Sequence, residues 1–209
     1  MAAIILYVIF SFLAPIWGSA VSVLSRTVTN TATGETITFL ETSAETGGVR
    51  VVAEITLVPG GAIVPHSHLC AETFECLDGS FITRLRRQEI ELTPGQSMTA
   101  EPHDMHGFRN ETTQPARLKV TATPALELDR ILRTLCGLSR DGLLVPGKPP
   151  SVALPTMANF AWRNRYYQPP VPRWLYWMIM GAMAPFGARD CDRMMARYNE
   201  ELPPPTNQT

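Results

Sequence analysis

The sequence predicts an all-β domain, an antiparallel sandwich or barrel, followed by a helical extension and preceded by an apolar segment. Three observations carry this. Between residues 26 and 124, short runs rich in Val, Ile and Thr alternate with turn signals such as Asp78-Gly79 and Pro94-Gly95. After Pro124, apolar side chains recur at helical spacing. Before Arg26, the chain carries no charged side chain.

Residues 1–25, MAAIILYVIFSFLAPIWGSAVSVLS, come first. About 20 apolar residues span a bilayer, and a proline such as Pro15 is tolerated inside such a helix. The segment therefore reads as an N-terminal apolar helix serving as a single-pass transmembrane anchor, or as a secretory signal with Gly18-Ser19-Ala20 at its cleavage site. Either reading places the protein at a membrane or in the secretory pathway; the third is a helix that packs on the domain.

Residues 26–124 form the β unit. ETITFLET and VRVVAEITLVPGG are the longest strand candidates, and TFECLDG, SFITRLRR, EIELTPG, HGFRNET and ARLKVTAT follow at close spacing. Many short strands separated by tight turns fit a sandwich or barrel. Residues 125–202 form the extension. It opens on a helix with Leu128, Ile131, Leu132 and Leu135 on one face, expected to stop near Gly137. After the Pro-rich connector LLVPGKPP, two more helical stretches run from Val152 to Tyr167 and from Pro172 to Asn199, interrupted at QPPVP and at Pro185. Residues 203–209 read as a disordered tail.

The uncharged run from Trp174 to Ala188 is too short to span a membrane. With Trp and Tyr nearby and Arg at both ends, it suits a lipid interface. Otherwise it is a helix covering a sheet or a second copy of the chain, as in a homodimer. The net charge of −1 and the lack of any basic run beyond Arg86-Arg87 leave no footprint for nucleic acid. Four dispersed cysteines with no Cys-x-x-Cys pair read as buried thiols.

All four histidines lie between His66 and His106. In a strand, residues two apart share a face, so the HSH triplet can present His66 and His68 to one ion. Glu72 begins the next segment, and pairing the two segments returns its carboxylate toward the imidazoles. His106 opens a further strand-like piece and is the natural fourth donor. Three imidazoles and one carboxylate suit a divalent transition metal (Fe, Mn, Ni, Cu or Zn) and leave a position open for water, substrate or dioxygen.

These residues carry a resemblance to the cupin superfamily. Its first motif reads here Gly60, GAIVP, HSH, LCA, Glu72, TFECLD, Gly79, and its second reads Gly95, then His106 and Asn110. The resemblance implies a small jelly-roll β-barrel with His66, His68, Glu72 and His106 as metal ligands. The second motif departs from the pattern, with Glu101 and His103 where proline and glycine are expected. A glycine there permits φ > 0, so His103 must accept strain or another turn. His103 is a candidate catalytic base or alternative ligand on this account. Asn110 opens the sequon NET, but its place in the motif points to a turn-stabilising role.

The resulting expectation is a metal-dependent enzyme, an oxidoreductase or isomerase acting on a small aromatic or polyketide-like substrate. Its counterpart is a membrane-associated binding or sensory module without turnover. Gly-x-Ser-x-Gly, phosphate-loop and dinucleotide-binding motifs do not occur.

Overall fold

A computed structural model of the protein describes residues 25–199. The apolar N-terminal segment and the C-terminal tail therefore lie outside the described residues.

Ten strands form two antiparallel sheets. The strands are β1 (Thr27–Asn30), β2 (Glu35–Glu41), β3 (Val51–Leu57), β4 (Ala62–His66), β5 (Ala71–Asp78), β6 (Phe81–Leu85), β7 (Gln88–Leu92), β8 (Ser97–Ala100), β9 (His106–Arg109) and β10 (Ala116–Thr123). One sheet has the order β1-β2-β3-β10-β5-β8, the other β4-β9-β6-β7. This is the jelly-roll arrangement. Period-two alternation sets it up: β3 buries Val51, Ala53, Ile55 and Leu57, and β10 buries Ala116, Leu118, Val120 and Ala122. Each large side chain buried this way contributes about 1.5–3 kcal/mol, so a one-residue slip, which turns the whole row outward, is strongly disfavoured. Two strands break the apolar row with an acid. In β2 the inward set is Glu35, Ile37 and Phe39; in β5 it is Glu72, Phe74 and Cys76.

Three sequence expectations change in detail. Strands β1 and β8 carry no clear sequence signal, since TVTN and SMTA are short and weakly apolar. The HSH triplet does not lie within a strand: β4 ends at His66, Ser67 makes an isolated bridge to Tyr167, and His68 starts the turn into β5. The first helix, α1 (Leu128–Arg140), runs past Gly137. That glycine is a packing site: an added Cβ would run into the Tyr198 ring.

Helix α1 has two apolar faces. Leu128, Leu132 and Cys136 pack on the barrel core, while Ile131 and Leu135 join Phe160, Cys191 and Met195 in a second cluster. That cluster is shared with α2 (Leu154–Arg163) and α4 (Ala188–Asn199). Helix α3 (Arg173–Met183) buries none of its residues fully and leaves Trp174 and Met178 exposed. None of the described helices is long and apolar enough to cross a membrane.

Candidate metal centre

Strand pairing brings the four predicted ligands together. His66, the last residue of β4, lies opposite His106, the first of β9. Glu72, second in β5, points inward from the other sheet. One donor atom from each of His66, His68, Glu72 and His106 lies within 4.8 Å of all the others. Donors held about 2.0–2.2 Å from a shared ion stand no more than about 4.4 Å apart, so closing on a cation needs only small shifts.

The carbonyls behind the rings fix which nitrogen faces the centre. His66 Nδ1 donates to the Val64 carbonyl at 2.9 Å, and His106 Nδ1 donates to the Asp104 carbonyl at 2.8 Å. Each bond leaves Nε2 as a lone-pair donor, as in metal-bound histidines generally. His68 Nδ1 contacts the Cys70 sulfur at 3.1 Å, which sets the same tautomer when that nitrogen carries the proton. Cys70 thus sits behind a ligand, and burial pushes its thiol well above the ordinary range.

The donor set fits a divalent cation. Nε2 of His68 and of His106 approach the Glu72 carboxylate at 3.4 and 3.2 Å. Both nitrogens are buried, yet neither makes a hydrogen bond of acceptable angle. Buried polar atoms without partners are costly, and here they aim at a common point where an ion would satisfy them. The electrostatics at His66 and Glu72 agree. Burial, with His106 and His68 adjacent, lowers His66 to about 3, which keeps it neutral as a ligand must be. Burial pushes the Glu72 carboxyl up, but His68 and His106 outweigh it and hold the group well below the usual range. Burial opposes protonation of His106, while its contact with Glu72 raises its pKa on balance.

The cluster opens onto a cavity of ≈ 160 Å³ inside the barrel. Phe74 and Phe108 line it, as the alternation predicts, and Leu128, Leu132 and Leu135 of α1 close one side. Tyr166, from the segment after α2, also lines it and stacks on His66 with ring centroids 5.2 Å apart. Sequence reasoning missed Tyr166, which no motif marks. It also missed Glu35, which lines the same cavity at 5% exposure. Burial raises the Glu35 carboxyl to about 7 despite hydrogen bonds from Thr33 and Asn30. The signal is present in ETITF, where Glu35 shares the parity of Ile37 and Phe39.

His103 stands apart from the four donors. It is exposed, and Arg173 Nη2 donates to its Nδ1 at 3.2 Å. Its backbone takes φ = +70°, the glycine-like turn that the motif departure implies. Its backbone N–H donates to the His68 carbonyl at 2.8 Å, so the turn supports a ligand through the main chain. Asn110 is buried and spans its turn: Nδ2 donates to the Leu57 and Gln114 carbonyls, and Oδ1 accepts from the Thr112 N–H.

A jelly-roll barrel with a three-histidine, one-glutamate cluster facing its interior defines a β-barrel class with a donor set that could hold a metal ion. The family model for the cupin domain matches residues 53–122, and the chain belongs to the cupin superfamily. Among solved structures it is similar to a protein from Thermus thermophilus, at 31% identity over 37% of this chain and 74% of that one, with TM-score 0.36. It is similar to the polyketide cyclase RemF from Streptomyces resistomycificus, at 25% identity over 43% of this chain and 65% of that one, with TM-score 0.40. An RmlC-like cupin from Shewanella frigidimarina is 20% identical over 47% of this chain and 83% of that one, with TM-score 0.42. A search of the curated proteins finds no match.

Proposed function

We propose that the protein is a mononuclear metal-dependent cupin enzyme, an oxidoreductase, isomerase or cyclase acting on a small aromatic or polyketide-like molecule. The observation behind this reading is that the donor cluster opens, through His66, His68 and Glu72, onto an apolar cavity. A purely structural ion has no use for such a chamber. His66, His68, Glu72 and His106 would hold the ion, which supplies Lewis acidity or redox capacity where a substrate oxygen meets it. Phe74, Phe108 and the α1 leucines contact the carbon frame of the substrate and exclude water. Water exclusion strengthens every charge interaction inside. A volume of ≈ 160 Å³ accommodates about one six-membered ring, which disfavours large or highly charged substrates.

The test is elemental analysis of the purified protein combined with a panel of single-ring phenols and cyclic diketones, followed by mass spectrometry with and without chelator. Stoichiometric metal and metal-dependent conversion support the enzyme. A second reading, a membrane-associated binding or sensory module, has the exposed Trp174, Met178 and Phe186 in its favour. Tight vesicle association with no conversion across the panel supports that one instead.

A further inference from the structure

The cavity has a second polar pole. Glu35 on β2 lies opposite Leu57, at the end of β3 remote from Val51. Glu72 pairs with Ala122, which lies opposite Val51 at the other end of the same strand. The two buried acids therefore enter the cavity from opposite ends of the strand ladder. Around Glu35 the β1–β2 turn supplies Thr33 Oγ1 at 3.0 Å and Asn30 Nδ2 at 3.4 Å, both donating to Oε1. Oε2 receives no hydrogen bond among the described residues and is not sealed off by them. Asn30 and Thr33 line the cavity as well. The turn is anchored from outside, where Ser139 of α1 bonds Thr31 Oγ1 and the Ala32 N–H, each at 2.8 Å.

We propose that Glu35 is a specificity-determining residue that donates a hydrogen bond to an acceptor oxygen of the ligand, at the end of the cavity away from the metal cluster. The idea rests on the cavity being the ligand chamber proposed above. A buried acid in an apolar row costs free energy unless it has a task or full satisfaction, and among the described residues one oxygen of Glu35 lacks the second. Among the described residues, the titratable groups that act on it bear no positive charge that would ionise it. They are Glu72 from β5, the Cys136 thiol from α1, which burial pushes up to about 12, and Tyr166 from the segment after α2. An uncharged carboxyl on such a wall is a donor aimed at a carbonyl or ether oxygen.

The test uses the full-length protein as purified and two probes of equal size, cyclohexanone and methylcyclohexane, with affinities measured by calorimetry. At pH 6 the ratio of ketone to hydrocarbon affinity is expected to be about tenfold higher in wild type than in Glu35→Leu, the value of one good hydrogen bond. The wild-type ratio should shrink as pH rises through 7, because an ionised Glu35 cannot donate. Glu35→Gln keeps a donor and should retain the higher ratio with no dependence on pH. Glu35→Leu should show the lower ratio at every pH. A ratio in Glu35→Leu equal to that of wild type, an unchanged pH dependence in Glu35→Gln, or failure of wild type to bind either probe overturns the proposal. Any contact of the ketone with the ion is common to all three proteins, and metal content is read separately. Loss of the metal reading thus leaves this test intact, and the reverse also holds.

Discussion

Replacing His106 by alanine tests the metal centre most directly. Four-ligand protein sites bind zinc with about 10–16 kcal/mol, so one ligand carries about 2.5–4 kcal/mol, or roughly a hundred- to thousandfold in affinity. The imidazole is 1% exposed, so the variant also leaves a void and takes from Glu72 one of the two groups that hold its carboxyl low. His106→Gln, which retains most of the volume, controls for that damage. The assay is metal content after dialysis, then titration of chelator-treated protein with Zn²⁺ or Mn²⁺, with circular dichroism confirming the fold. Wild type should hold one ion per chain, while His106→Ala and His66→Ala should lose it on dialysis and His103→Ala should keep it. Folded His106→Ala and His66→Ala proteins that both retain stoichiometric metal would refute the ligand assignment.

Three further outcomes follow from the geometry. His103→Gly should relieve the strain of φ = +70° and raise stability by about 0.5–1 kcal/mol, read as a melting point about 1–4 °C higher; a lower one means that the side chain and Arg173 matter more than the turn. Gly137→Ala forces a methyl into the Tyr198 ring and should cost about 1–3 kcal/mol in urea unfolding, while Gly137→Ala with Tyr198→Leu should recover part of it. Glu35 holds its proton to about 7, against 4.5 in an ordinary setting, so the native state binds an extra proton between those values. Its contribution is fully present below about 4.5 and is lost as pH rises through 7, a change of about 3 kcal/mol. Denaturant unfolding at acidic and mildly alkaline pH should show this fall in wild type and not in Glu35→Gln, and parallel curves for the two proteins would contradict it.

The barrel and its four candidate donors are largely legible in the sequence because both depend on period two. VVAEITL and ARLKVTAT declare their faces, and the same parity puts Glu72 among Phe74 and Cys76. Where regularity stops, legibility stops with it. Alternation assigns His66 and His68 to one strand face, yet the backbone leaves the sheet between them, and they converge because the turn does. Gly137 reads locally as a helix stop; only the Tyr198 ring, 61 positions on, shows why the helix continues and why the residue must be small. Tyr166 carries no pattern at all, since its place over His66 is set by how the helices fold back on the barrel. Glu35 is readable but easily missed, because an acid at a strand start resembles a solvent-facing one until its parity is counted.

Ser67, the residue between two of the donors, exchanges both backbone hydrogen bonds with Tyr167, N–H to carbonyl in each direction at 2.9 Å. The C-terminal helices are thereby tied into the same peptide that sets the spacing of His66 and His68. Excising the barrel as a minimal unit, or grafting it onto a relative's tail, would untie that knot and uncover His66 in one stroke. The extension is part of the architecture of the site and not cargo carried behind it.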